Sequence, residues 1–262
     1  MEAGFGLQTL LQIGLTMKKI KYISVIFCGI LFFGCEKSGD SASALSTGKG
    51  GSLSKFTIIG NYLYAVSSHF LYTIDISNPS GPTRVNQSQL NYDMETLYPY
   101  KNRLFIGSKT GLYIYSLDLP AAPKLIGEAK HGRSCDPVVA NDTASYSTLK
   151  GNSSCGPATS GLYVYDVRNL NTPVFKKLIN LNDPVGLGLA DSALYVCNLY
   201  DGIKVYDIRN AYSPVEKSTI SGQGFLDVIP YENLLICWTN AGISLYNISN
   251  QLQPSLIKNI AN

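Results

Sequence analysis

The sequence predicts an all-β chain folded as a β-propeller of five four-stranded blades, each about 40 residues long. Three observations carry this expectation. First, a thirteen-residue pattern recurs: FLYTIDISNPSGP from Phe70, GLYIYSLDLPAAP from Gly111, GLYVYDVRNLNTP from Gly161, GIKVYDIRNAYSP from Gly202 and GISLYNISNQLQP from Gly242. Second, when the copies are aligned on Asp75, Ser116, Asp166, Asp207 and Asn247, a proline follows seven residues later each time, at Pro82, Pro123, Pro173, Pro214 and Pro254. The anchors stand 41, 50, 41 and 40 residues apart, a period that belongs to repeat architectures. Third, segments such as LYIYS, LYVYD and IKVYD are apolar or aromatic on both alternating faces. Each sheet must then be covered on both sides, which sheets stacked around an axis achieve.

Each unit reads as four strands. An apolar run such as DPVGLGLA is followed by ALYVCNLY, then GIKVYDI, then a proline-led strand such as PVEKSTI, with turn residues between them. Gly111, Gly161, Gly202 and Gly242 stand where the second strand turns into the third, a position needing a tight or left-handed backbone. The Asp, Ser or Asn anchors close the third strand, where a short acceptor can bond the backbone N–H two residues on. Proline then opens the fourth strand, an edge, because it donates no ladder hydrogen bond.

The N-terminal region has a different composition. Residues 17–34 begin MKKIKY and continue into ISVIFCGILFFG, a basic start followed by a largely apolar run of twelve residues. That run is too short for a membrane helix, which needs about 20, and reads as a secretory signal. Met17 opens it, so residues 1–16 are expected to be a misassigned upstream start. The LFFGC ending resembles the lipobox of bacterial lipoproteins, which implies cleavage before Cys35 and lipid on its sulfur, although Phe32 and Phe33 are bulkier than the usual residues there. Residues 35–50 are rich in Ser and Gly and form a tether, leaving residues 51–262 for the propeller. The expected location is the bacterial cell envelope, lipid-anchored at the outer membrane. Removing three lysines and one glutamate with the leader from 21 basic and 18 acidic residues leaves 18 and 17. A balanced charge with no basic stripe gives no electrostatic reason to expect nucleic acid.

The repeat, with its LYVYD core, capped turn and following proline, resembles the LVIVD-repeat family of bacterial secreted and lipid-anchored β-propellers. The resemblance covers about 210 residues and implies architecture, but no general activity. The first copy departs from it, with Phe70 in place of glycine and Ile74 in place of tyrosine.

The third repeat is ten residues longer than its neighbours, the surplus lying in STLKGNSSCGPATSG. An exported compartment favours oxidation, so Cys135 and Cys155 are expected to form a disulfide pinning this loop, closing about 20 residues and worth about 3 kcal/mol. Cys197 and Cys237 each lie ten residues before their anchors and are expected at equivalent positions in neighbouring blades, buried and reduced. With His69 and His131 the only histidines and no CxxC, no zinc site is expected.

Glu95, Asp136, Asp183 and Asp227 stand near the beginnings of the first strands, which would line the channel. Converging, they would suit calcium or a glycosidase-like hydrolase. As isolated residues they would cap turns, and the sequence favours that reading, with no catalytic residue and no cofactor. Tyr200, in a turn, and Arg133 and Asp136, beside the insertion, are the candidate binding residues, and long loops on rigid scaffolds commonly carry function. The sequence therefore favours a noncatalytic binding or scaffold module for an envelope protein or glycan, over a channel-mouth enzyme.

Overall fold

A computed structural model of the chain describes residues 50–90, 93–131, 137–151 and 159–261. These residues form five four-stranded antiparallel meanders, each from one consecutive stretch of chain. Blade 1 comprises β1 (Phe56–Ile59), β2 (Tyr62–Val66), β3 (Phe70–Asp75) and β4 (Thr83–Gln89). Blade 2 comprises β5 (Met94–Tyr100), β6 (Arg103–Ser108), β7 (Gly111–Ser116) and β8 (Lys124–Lys130). Blade 3 comprises β9 (Val138–Ala140), β10 (Ala144–Leu149), β11 (Gly161–Asp166) and β12 (Val174–Asn180). Blade 4 comprises β13 (Pro184–Leu189), β14 (Ala193–Asn198), β15 (Gly202–Asp207) and β16 (Val215–Ile220). Blade 5 comprises β17 (Phe225–Tyr231), β18 (Leu234–Thr239), β19 (Gly242–Asn247) and β20 (Ser255–Ala261). The five-bladed, all-β expectation holds, and among the described residues no blade borrows a strand from the far end of the chain.

The repeated thirteen residues do one job five times. Each anchor accepts a hydrogen bond from the backbone N–H two residues on: Ser77 to Asp75 at 2.8 Å, Asp118 to the Ser116 hydroxyl at 3.0 Å, Arg168 to Asp166 at 3.1 Å, Arg209 to Asp207 at 3.0 Å and Ser249 to Asn247 at 2.8 Å. The proline stands immediately before the fourth strand, whose residues are largely exposed, in keeping with an edge. In every blade the register between third and fourth strands shifts at the same place, from Thr73/Ile74 in blade 1 to Leu245/Tyr246 in blade 5. Such a bulge strengthens twist and bends the outer strand.

The glycines that open the third strands need a modified account. Only Gly202 and Gly242 have positive φ, at 87° and 128°. What all four share is space: a Cβ would meet a fourth-strand carbonyl oxygen at 2.5 Å from Gly111 and Gly161, and at 2.1 Å from Gly202 and Gly242. Blade 1 carries Phe70 at this position, where the Ser67–His69 connection closes through the Ser67 N–H on the Phe70 carbonyl at 2.9 Å.

Adjacent blades pack through buried apolar faces and are stapled by tyrosines on second strands. The Tyr64 hydroxyl donates to the Pro120 carbonyl, Tyr146 to Ala211 and Tyr195 to Gln251, each reaching the third-to-fourth turn of the next blade at 2.8–2.9 Å. Burial raises their phenols, Tyr64 to about 12 and Tyr146 and Tyr195 further still.

Cys197 and Cys237 are buried free thiols, as expected, but they are not equivalent. Cys197 pairs with Ile203, whereas Cys237 pairs with Ser244 and Trp238 takes the place opposite Ile243. The turn after β18 is one residue shorter than that after β14, so counting back from the anchors is out by one. That slip puts the two thiols on opposite faces of their blades, and both enter the same apolar cluster between blades 4 and 5. Burial raises both, Cys237 to about 12. Cys135 and Cys155 lie outside the described residues, as does the middle of the insertion, residues 152–158.

Candidate functional site

The meander fixes two ends for every blade. First strands begin, and second strands turn into third, at one end. The first-to-second and third-to-fourth turns gather at the other. A funnel of about 750 Å³ opens at this second end. Blade 2 contributes Tyr98 to Lys101, blade 3 Ala140 to Thr143, blade 4 Leu189 to Asp191, and blade 5 Pro230, Glu232 and Gln251.

The funnel is floored by the chain's own N-terminal segment. Gly50 lies in its wall, and the Ser54 N–H closes a turn on the Gly51 carbonyl at 3.1 Å. The Ser52 hydroxyl donates to Asp227 Oδ1 at 2.9 Å and accepts from the Leu187 N–H at 2.8 Å. The Leu53 N–H donates to Asp227 Oδ2 at 3.2 Å, and the Leu97 N–H donates to the Ser54 carbonyl at 2.8 Å. One turn thus joins the inner strands of blades 2, 4 and 5 before the chain enters blade 1. Gly51 and Gly186 permit the fit, since a Cβ on either would meet the Asp227 carboxylate at 2.0 and 2.3 Å. Burial raises the Asp227 carboxyl above its ordinary range, opposed by the hydrogen bonds it accepts from Leu53, Ser52 and Val228.

The funnel wall is polar with aromatic bodies behind it. The Tyr100 hydroxyl and Lys101 ammonium of blade 2 both reach Asp142 of blade 3, at 3.0 Å and at 2.6 and 2.8 Å. The Lys101 ammonium beside it, with the Tyr100 hydroxyl, holds the Asp142 carboxyl below the usual range. Behind them, burial pushes the Tyr98 phenol up to about 12. Gln251 Oε1 accepts from the Ser192 N–H and hydroxyl at 2.9 and 2.8 Å, tying the lip of blade 4 to blade 5. Asp191 and Glu232 stand exposed on the lip.

Two lip residues hold an unusual backbone. Lys101 and Glu232 have φ of 52° and 51°, the only non-glycine residues in the left-handed region among those described. Both occupy the first position of the two-residue turn after a first strand, where blade 1 has Gly60 at φ 58°. A non-glycine residue there costs about 1–2 kcal/mol, and such strain clusters at functional sites.

The residues singled out in the sequence lie elsewhere. Asp227 is buried beneath the N-terminal turn. Asp183, just before β13, pairs with Lys150 at 2.8 Å, and its N–H donates to Asn198 Oδ1 at 2.9 Å. Glu95 is the second residue of β5 and half-buried. Tyr200 lies in the β14–β15 turn, 61% exposed, at the end opposite the funnel. Arg133, Asp136 and Cys35 fall outside the described residues. Among the described residues, no group of three or more His, Cys, Asp or Glu side chains is disposed to hold a metal. The residues missed, Lys101 and Glu232, had one sequence signal: Gly60-Asn61, Lys101-Asn102 and Glu232-Asn233 occupy the same turn, with glycine replaced by a charge in two of three.

Comparison with solved structures bears out the fold. A Lactobacillus plantarum protein, structural genomics target LpR118, aligns with TM-score 0.60 and 11% identity over 77% of this chain and 72% of its own. The periplasmic gluconolactonase PpgL of Pseudomonas aeruginosa aligns with TM-score 0.59 and 10% identity over 77% and 68%. AztD of Citrobacter koseri aligns with TM-score 0.56 and 12% identity over 82% and 61%. The chain spans about three fifths of the length of AztD and of the designed protein Ika8, which it also matches. Identities this low speak to fold alone. No curated protein matches the chain. The LVIVD repeat model matches residues 50–88, the first blade together with the turn that floors the funnel. The match falls on the copy that departs most from the thirteen-residue pattern, so the chain carries an LVIVD repeat in the first blade of a β-propeller fold.

Proposed function

We propose that this chain is a cell-envelope lipoprotein, anchored through Cys35, whose propeller is a noncatalytic binding module that seats a glycan in the funnel. The observation that carries the reading is the left-handed backbone at Lys101 and Glu232, two charged residues facing one cavity at positions where glycine would relieve strain. The volume suits a ligand of a few sugar units, within the roughly 300–1,000 Å³ of small-molecule sites. Carboxylate and amide acceptors beside tyrosine rings suit a polyhydroxylated ligand. Asp142, with its proton affinity lowered by Lys101, is the opposite of a general acid. The buried Asp227, which a hydrolase would have used, is committed to the N-terminal turn.

Glu232→Gly tests this reading. The variant is expected to gain on the order of 0.5 kcal/mol, the left-handed penalty of about 1–2 kcal/mol less glycine's entropic cost of about 0.5–1 kcal/mol. Thermal shift of the full chain against a panel of envelope oligosaccharides should give a hit that raises Tm in the wild type and leaves Glu232→Gly unmoved. A variant that is less stable, or that keeps the full ligand shift, would sink the assignment.

A further inference from the structure

Every internal blade interface is built the same way, from the forward face of one blade and the backward face of the next. Leu97, Leu104, Ile106, Tyr113 and Tyr115 form the backward face of blade 2, packed on blade 1. The residues 41 positions earlier, Phe56, Leu63, Ala65, Tyr72 and Ile74, form the same face of blade 1. Phe56 is 63% exposed and Ile58 beside it 40%.

Blade 5 has the complementary feature. Tyr195, Cys197, Ile203, Val205 and Ile220 form the forward face of blade 4, buried against blade 5. The cross-strand row Cys197, Ile203, Ile220 corresponds by register to Trp238, Ile243, Ile260, and the pair Tyr195, Val205 to Ile236, Leu245. Trp238, Ile243 and Ile260 are 54%, 41% and 47% exposed. The chain therefore presents both halves of its own blade interface uncovered, one on each terminal blade. Exposed contiguous apolar surface of this kind marks an interaction site.

We propose that these two faces join a second copy of this chain, blade 5 of one packing on blade 1 of the other and the reverse, as a two-fold dimer. The argument is continuity with the interface that joins the internal blades. A second copy carries both matching halves, and reciprocal use of them closes the assembly rather than leaving a filament. Where three of the four internal forward faces carry a tyrosine staple, blade 5 has Ile236, so the contact is apolar and reversible.

Trp238 is the only tryptophan in the chain and reports directly on this face. Sedimentation of the full chain in mild detergent should show the protein mass doubling as concentration rises, with Trp238 emission moving to shorter wavelength in step. Trp238→Lys and Phe56→Lys should each weaken self-association at least tenfold. Mixed together, they should associate better than either alone, because one of the two contacts in the mixed dimer is wild-type on both sides. The rescue separates a lost contact from a misfolded blade. A monomer at every concentration overturns the proposal, whether Trp238 emits as exposed or as already buried by closure of blade 5 on blade 1 within one chain.

Discussion

Tyr195→Ala is expected to destabilise the protein by about 4 kcal/mol, within the range of about 3–5 kcal/mol for deleting a fully buried aromatic ring. The ring has no exposure and sits in the cluster between blades 4 and 5. Tyr195→Phe separates packing from stapling. It keeps the ring and removes only the donor to the Gln251 carbonyl, at a cost of about 1 kcal/mol. Ile236→Ala, at the same register position on the uncovered face of blade 5, should cost clearly less than Tyr195→Ala. Urea denaturation of the three variants on one scale checks the order. Equal losses at 195 and 236 would mean that the forward face of blade 5 is as covered as that of blade 4.

Asp227→Ala is expected to cost about 3 kcal/mol, because it leaves the Ser52 hydroxyl and the Leu53 and Val228 N–H groups buried without their acceptor, each at roughly 1–3 kcal/mol before relaxation. Asp227→Asn should cost less, since its remaining oxygen still accepts from Ser52 and Val228 while its amide group opposes the Leu53 N–H. The pH dependence has a definite sign. The folded carboxyl is raised by burial, so the native state holds the proton more tightly than the unfolded chain does. The stabilisation this brings is fully present below the ordinary carboxylate pKa and is lost as pH rises through the raised folded value. The stability difference between wild type and Asp227→Asn should therefore shift against the wild type on going from pH 4 toward neutrality. Chemical denaturation across that interval measures it, and a shift in the wild type's favour would mean that the hydrogen bonds outweigh burial.

What could be read from the sequence was what is local. The anchor, its bond two residues on, and the proline that opens the edge strand all lie within seven residues, and the structure repeats them five times. Each is set by short-range geometry that recurs wherever the residues do. The cysteine register failed because it depended on a turn length, and a single residue fewer after β18 reversed the face that Cys237 presents. The floor of the funnel was illegible for another reason. Ser52 meets Asp227 from 175 residues away, and the GGSLS that carries it has the composition of a linker. The funnel itself is made from the turn tips of four blades, and no residue type in its wall is common to all four, so no single motif marks it. The placement of Glu95, Asp136, Asp183 and Asp227 near strand beginnings directed attention to the opposite end.

The central claim is that ligand enters the funnel between the first-to-second turns. Hydrogen exchange of the full chain, with and without the oligosaccharide identified by thermal shift, tests it most directly. The account predicts protection in residues 98–101, 140–143, 189–191 and 230–232, with none at 109–111 or 199–201. Protection confined to residues 109–111 and 199–201, at the end opposite the funnel, would contradict it.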